Sequence, residues 1–306
     1  MKTINSRLAA REIRGAVLTL GNFDGVHLGH QRIIRKVVGR AKVLRCASAV
    51  FTFEPHPLKV VSPGASPPLI AAPEEKIKLI AGLGPNFLIL AKFTKGFAEK
   101  HPREFVEEFI VPMDVKEVWV GHDFSFGKGK AGTVSHLKSL GAELGFKVNM
   151  IPACKKDGHI VSSSRIRALV KSGEVKKAAR LLGRGFSVKG VVVRGKRTGR
   201  ALGFPTANIK VKSELVPGKG VYAAYVFFSG NTYRAAVNVG TAPTLGVVPL
   251  CVEAHLLDFK GNIYGKIIAV EFVKRLRDET GFASKEALVK MIARDVSAVR
   301  KTLSRG

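Results

Sequence analysis

One stretch near the start constrains the fold more than any other: Gly21-Asn22-Phe23-Asp24-Gly25-Val26-His27-Leu28-Gly29-His30. Before it runs Ala16-Val17-Leu18-Thr19-Leu20, an apolar run of strand length and β-branched character. After it, Ile33, Ile34, Val37 and Val38 recur at helical spacing among Arg32, Arg35, Lys36 and Arg40. The stretch therefore reads as a strand-to-helix turn. Its glycines tolerate tight geometry and let another molecule approach the backbone. A helix N-terminus aims unpaired N–H groups and positive dipole at whatever sits there, which favours phosphate. His27 and His30, three apart, share one side of the first helical turn. Two imidazoles there can donate hydrogen bonds to charge building up on a phosphate. The competing readings are half of a metal site and an ordinary core or surface pair. No Cys or carboxylate cluster supplies further ligands, and glycines at a strand-to-helix turn favour phosphate chemistry.

The spacing His-x-Gly-His resembles the signature of the nucleotidyltransferase superfamily, which includes class I aminoacyl-tRNA synthetases and several cofactor adenylyltransferases. That likeness covers ten residues and leaves the substrate open.

At 306 residues, two domains are expected, each large enough for its own core. No apolar run reaches transmembrane length, and residues 1–15 lack a signal-peptide core. Cys46, Cys154 and Cys251 are odd in number and far apart, which fits reduced thiols in a cytoplasmic protein with no membrane partner. The formal net charge of +28 invites a nucleic-acid reading. However, residues 1–183 hold 30 Lys and Arg against 15 Asp and Glu, and residues 184–306 hold 21 against 8. The excess is spread over both halves, and aromatics do not interleave with it as on a stacking platform. A generally basic surface suits anionic nucleotides, so nucleic acid is not the expected partner. An oligomer is compatible with the sequence.

Along the first half, residues 47–53, 87–90, 117–120 and 147–151 read as strands, alternating with helices that begin near Pro73 and Pro102. That alternation predicts an α/β domain: a doubly wound parallel sheet with helices on both faces. Ligands then bind at the carboxyl ends of the strands, where the 21–30 turn lies. Glu54-Pro55-His56-Pro57 ends the second strand and stiffens the loop after it. His122-Asp123-Phe124-Ser125-Phe126-Gly127, with Lys128 and Lys130 beyond, suits a planar phosphorylated ligand or else fills the core with its phenylalanines. Ser162-Ser163-Ser164-Arg165-Ile166-Arg167 places serines as N-caps before a helix. Two arginines in the first turn oppose the helix dipole, and a bound anion would remove the conflict.

In this order the segments 21–30, Phe-Glu-Pro-His-Pro, Asp-Phe-Ser-Phe-Gly and Ser-Ser-Ser-Arg-Ile-Arg resemble the adenylyltransferase module of prokaryotic bifunctional FAD synthetases. The resemblance implies ATP contacts at Gly21, Asn22, Phe23, Asp24, Gly29, Ser162, Ser163 and Ser164. It implies flavin contacts at Pro55, His56, Pro57, Asp123, Phe124 and Phe126, with His27, His30 and Arg167 catalytic. Two departures stand out. Ser164 replaces the family's usual Thr and keeps its hydroxyl; Lys130 replaces Arg and keeps charge but not the planar fork.

Beyond Val175–Leu182 the pattern changes at Gly183, and the domains are expected to be 1–183 and 184–306. Residues 188–193, 220–228, 233–239, 250–257 and 267–273 read as short strands with no helix between them, hence an antiparallel β-barrel. A closing helix follows Ser284, with Ala287, Leu288, Met291, Ile292 and Val296 as its apolar stripe. Within Gly203-Phe204-Pro205-Thr206-Ala207-Asn208, Thr206 and Asn208 are two apart and point the same way. A hydroxyl and an amide oxygen can hold a Mg²⁺ that bridges nucleotide phosphates, unless they are only a polar strand face. Glu253 is a lone carboxylate in an apolar strand, either a general base or a salt-bridged structural residue.

Gly-Arg-x-Leu-Gly-Phe-Pro-Thr-Ala-Asn-Ile, Pro-Gly-Lys-Gly-Val-Tyr and Val-Glu-Ala-His-Leu-Leu-Asp-Phe resemble the riboflavin kinase module of the same family. The resemblance implies nucleotide contacts at Gly203 and Pro205, metal at Thr206 and Asn208, and Glu253 as base. Ala242 and Leu245 stand where the family usually shows Arg and Phe, so weaker ligand affinity is expected there. The implied activity is FAD synthesis: riboflavin to FMN, then FMN to FAD, with ATP as co-substrate and Mg²⁺ as cofactor. Another cofactor adenylyltransferase or a basic nucleic-acid-binding protein are the alternatives. The Thr206/Asn208 barrel argues against the first and the even charge spread against the second.

Overall fold

The computed structural model describes residues 1–195, 199, 202–241, 250–281 and 284–304; Ala242 and Leu245 lie outside them. The chain packs as two compact units, Met1–Ser162 and Ser163–Gly306.

The first unit is built on six strands: β1 (Lys2–Asn5), β2 (Ala16–Leu20), β3 (Ala47–Glu54), β4 (Phe87–Lys92), β5 (Val115–Gly121) and β6 (Lys147–Ile151). They form one parallel sheet in the order β1-β4-β3-β2-β5-β6, as the alternating pattern requires. A short ribbon, β7 (Lys155–Lys156) with β8 (His159–Ile160), follows. β1 escapes a periodicity reading because it has four residues and one buried position. β2 is buried at every position, as a strand covered on both faces must be. Leu18, Phe51 and Ile89 pack on one face with Phe105, Val106 and Phe109 of the Pro102–Phe109 helix. On the other face Val50 and Leu88 meet Ile34 of the Leu28–Val43 helix and Ile80 of the Pro73–Ala81 helix. From β2 the chain runs to β3 on one side and later returns to β5 on the other. The 21–30 turn therefore leaves the carboxyl end of β2 at the switch point of the sheet, where such folds bind ligands.

The helix after that turn is tied down at its far end. Arg40 forks onto the buried Glu117 carboxylate at 2.7–3.0 Å, and the Trp119 indole N–H donates to it at 2.9 Å. Those bonds, Arg40's first, hold the Glu117 pKa below its usual value. Glu117→Gln should lower the melting temperature of the first unit by several degrees at pH 7. A depressed carboxylate stabilises above its unfolded pKa and stops doing so as pH falls through the folded one. The difference between variant and wild type should therefore shrink below about pH 4.5. A difference that persists there would rule out the ion pair as its cause.

The second unit opens with two helices, Ser163–Lys171 and Val175–Leu182, the latter packed on barrel strands. Its strands are β9 (Phe186–Val193), β10 (Ala207–Val211), β11 (Gly220–Phe228), β12 (Asn231–Thr241), β13 (Leu250–Leu256) and β14 (Ile267–Arg277). All neighbours are antiparallel, and the order β10-β13-β12-β11-β14-β9 closes into a barrel. The Lys285–Leu303 helix follows, its N-cap Ser284 accepting from the Ala287 N–H at 3.2 Å. Its stripe differs from the sequence expectation at both ends. Ala287 is exposed, Leu288, Met291, Ile292 and Val296 are half-buried, and the fully buried apolar positions are Val299 and Leu303. The first turns border a cavity, whereas the last turns meet the barrel wall at Ala223, Ala236 and Leu257. No helix among the described residues is long and apolar enough to cross a membrane.

Candidate active sites

After β2 the backbone makes an unusual turn. Phe23 and Val26 have positive φ (49° and 40°), and Gly25 sits at +74°, where an added Cβ would lie 2.7 Å from Ile70. The Gly21 N–H donates to the Phe51 carbonyl, and the Thr52 hydroxyl to the Asn22 carbonyl, so β3 holds the turn. His27 is the N-cap: its Nδ1 accepts from the His30 N–H at 3.3 Å, leaving Nε2 to carry the proton. The His27 and His30 rings stack with centroids 3.5 Å apart, and the Phe23 ring meets His30 edge-on at 5.2 Å. At Gly29 an added Cβ would lie 3.2 Å from the His27 ring, so the stack depends on a small residue there.

Burial, and then the neighbouring His27, hold the His30 pKa well below the ordinary histidine value. His30 is therefore neutral at pH 7. The unfolded chain protonates this ring below about pH 6.5, so His30 costs stability as pH falls through that point. His30 Nδ1 is buried and has no hydrogen-bond partner among the described residues. An orphaned ring nitrogen at a helix N-terminus fits an anionic ligand that supplies the missing partner.

Other expected residues of the first unit also make structural contacts. Phe23 belongs to the core. Asp24, expected beside a nucleotide, is buried and accepts from the Ile70 N–H at 3.0 Å and the Ala71 N–H at 3.4 Å, fastening the 62–73 loop over the turn. His56 caps the Pro57–Val61 helix, its Nδ1 accepting from the Leu58 N–H at 3.2 Å. Phe126 is a core residue against Phe105, whereas Phe124 is half-buried and stacks on it at 5.5 Å. Asp123 is exposed. The phenylalanines of this loop thus divide between the two readings open to them. One residue was missed: Lys76, whose buried ammonium enters the slot lined by Asn22, Asp24, Glu54 and His56. Nothing in its acidic, proline-led helix start marks it in the sequence.

Ser162 closes the first unit, and the Ser163–Lys171 helix opens the second with Ser164 exposed and Arg167 buried. In the barrel, Glu253 of β13 stands directly opposite Asn208 of β10 and Asn238 of β12. Thr206 immediately precedes β10, and burial alternates as expected, with Ala207 and Ile209 inside and Thr206 and Asn208 half-exposed. Pro205 is located by its carbonyl, 2.9 Å from His255 Nδ1, and Phe204 lies edge-on to His255. Gly203 takes φ +82° just before them. The Cys251 thiol lies 3.7 Å from Asn208 Oδ1 and 3.8 Å from Glu253 Oε1. Burial, then Glu253, push it up to about 11, so it stays a neutral thiol.

Thr206, Asn238 and Glu253 face a cavity of about 230 Å³ whose other walls include Phe204, Val221, Leu288 and Ile292. Two more of its lining residues pair with each other: Arg277 forks onto Asp295 at 2.8–3.2 Å, fixing the closing helix to β14. A cavity with apolar walls that also carries the Glu253 and Glu279 carboxylates, the Arg277–Asp295 pair and neutral oxygen donors suits a flat organic ligand with a reactive hydroxyl. Asn238 was missed as a site residue. An Asn inside an apolar strand is a signal, but only the β12–β13 register places it beside Glu253.

Residues 9–165 match the family described as FAD synthetase, and residues 182–303 match riboflavin kinase. The chain is 35% identical to the bifunctional riboflavin kinase/FMN adenylyltransferase of Haemophilus influenzae, covering 95% of this chain and 96% of that one. The Bacillus subtilis protein of the same description is also 35% identical, with 96% of each chain covered. A Streptococcus pneumoniae crystal structure described as a macrolide-efflux protein shares the fold at a TM-score of 0.88. It is 31% identical, and 98% of this chain and 99% of that one are covered.

Proposed function

Because the chain belongs to the bifunctional riboflavin kinase/FMN adenylyltransferase family, we propose how its residues divide that family's two reactions between them. The chain phosphorylates riboflavin to FMN and adenylylates FMN to FAD, with ATP as co-substrate in both steps. Residues 184–306 carry the kinase and residues 1–183 the adenylyltransferase.

In the barrel, Glu253 takes the proton of the ribityl 5′-hydroxyl as that oxygen attacks the γ-phosphorus of ATP, and ADP leaves. The cavity beside Glu253 holds the isoalloxazine against its apolar walls, and Gly203 and Pro205 border the nucleotide. Thr206 and Asn208 are hard oxygen donors of the type Mg²⁺ takes. No group of three or more His, Cys, Asp or Glu among the described residues could hold a metal by itself. The protein thus offers a sparse set that phosphate oxygens and water would complete. A magnesium ion there supplies charge neutralisation on the phosphates.

In adenylyl transfer the FMN phosphate oxygen attacks the α-phosphorus of ATP, and pyrophosphate leaves. No protein nucleophile is needed. His27, His30, the helix N-terminus and Arg167 stabilise the developing charge. Gly21, Asn22, Gly29 and residues 162–164 meet the nucleotide. Phe23 and Asp24 act there through the turn they hold. Pro55, His56, Pro57, Asp123 and Phe124 meet the flavin, with Phe126 supporting Phe124 from the core. The three free cysteines accord with a cytoplasmic location.

The observation that carries this division is the direct pairing of Glu253 with Asn208 inside the barrel. It supports reading the Glu253 carboxylate as the base and the Asn208 amide oxygen as its neighbouring metal donor, both in the second unit. The test is incubation with riboflavin, ATP and Mg²⁺, with flavins separated by chromatography. FMN should appear first and FAD after it. No product from either riboflavin or supplied FMN would overturn the proposal.

A further inference from the structure

Lys76 is the fourth residue of the Pro73–Ala81 helix, and its side chain is 9% exposed. Two things disfavour an ammonium there. It is near the positive end of a helix dipole, and it is out of water. Burial lowers its pKa against the opposing pull of Glu54 and Asp24. As a tie between helix and strand alone, an apolar pair would serve as well or better.

The location of its bonds gives the ammonium a use. Nζ donates to the Phe53 carbonyl at 3.0 Å and lies 3.6 Å from Glu54 Oε2. These are the last two residues of β3, directly before Pro55-His56-Pro57. Across the same slot, Asp24 fastens the 62–73 loop through Ile70 and Ala71. A single buried cation thus holds the end of β3 at the ligand-binding edge of the sheet. Among the described residues that line this slot, Lys76 is the only lysine or arginine.

We propose that Lys76 is a positioning residue for FMN: its ammonium fixes the end of β3 so that Pro55-His56-Pro57 meets the flavin in one conformation. This rests on assigning residues 55–57 to flavin contact. Lys76 bonds to the two residues directly before 55–57, so the effect falls more on flavin affinity than on ATP.

The test measures FMN adenylylation by the full chain, varying FMN and ATP separately, with riboflavin phosphorylation and thermal unfolding alongside. Lys76→Met keeps length but not charge; Lys76→Arg keeps charge and donors. Lys76→Met should raise KM for FMN about ten-fold while KM for ATP and the kinase rate stay within about two-fold, and Lys76→Arg should recover most of the loss. Glu54→Gln, which leaves the Phe53 bond in place, should raise KM for FMN several-fold even if Lys76→Met fails to fold. His56→Ala probes the underlying assignment. If it raises KM for FMN while Lys76→Met and Glu54→Gln do not, the positioning role is overturned and the flavin assignment stands. If none of the three moves it, both are overturned. Equal rises in both KM values with early melting in the Lys76 and Glu54 variants would show a structural tie and overturn the proposal.

Discussion

Glu253→Gln is expected to slow riboflavin phosphorylation roughly 10²- to 10⁴-fold, because the amide keeps size and hydrogen bonding but cannot accept the proton. Binding of riboflavin and ATP should change little, since the lost function is felt mainly in the transition state. Adenylylation of supplied FMN should continue at the wild-type rate. The structural alternative makes a different forecast. A buried structural ion pair, once broken, costs roughly 3–5 kcal/mol, and the variant would melt early. No ion pair to Glu253 is formed among the described residues, and the neutral Cys251 thiol lies 3.8 Å from its Oε1. The melting temperature should therefore hold. A stable variant that phosphorylates riboflavin at the wild-type rate would end the general-base assignment.

His30→Ala should slow FAD formation from FMN about 10²- to 10³-fold, the usual loss when one donor to a developing phosphate charge is removed. Its ring stacks on His27, and its buried Nδ1 has no hydrogen-bond partner among the described residues. FMN formation from riboflavin should remain near wild type. His30 also touches Phe23, so alanine leaves space beside a core ring and some loss of stability is expected. His30→Asn fills part of that space and serves as the control: stability should recover further than activity does. Parallel loss of both activities would show that His30 is structural.

Local chemistry was legible in the sequence where period and punctuation coincide. The 21–30 turn sits between a short apolar, β-branched run of strand length and a run of period 3.6, so its place at a strand end followed directly. Thr206 and Asn208 share a face because strands alternate. What stayed hidden depends on partners far away in the chain. Asn238 and Glu253 are neighbours only through the β12–β13 register. Lys76 becomes notable only once the end of β3 is seen above its helix. Asp24 resembles a ligand residue until the 62–73 loop is folded onto it. Phe124 and Phe126 alternate in sequence, but only packing against Phe105 decides which one is core. The same limit affects the units. The change of pattern lies at Gly183, yet the Val175–Leu182 helix packs on β14 and β9, and the compact units divide at Ser162. An amphipathic helix shows that it has an apolar face, not which neighbour covers it.

The central claim is that two separate sets of residues carry out two consecutive reactions, with FMN passing between them. The most direct measurement mixes equal amounts of the Glu253→Gln and His30→Ala proteins with riboflavin, ATP and Mg²⁺ and follows FAD by chromatography. Each variant alone should make little FAD from riboflavin, the first for want of FMN and the second accumulating it. The mixture should restore FAD synthesis to a large fraction of the wild-type rate. A mixture no better than the two variants assayed separately, or a single substitution that abolishes both steps, would contradict it.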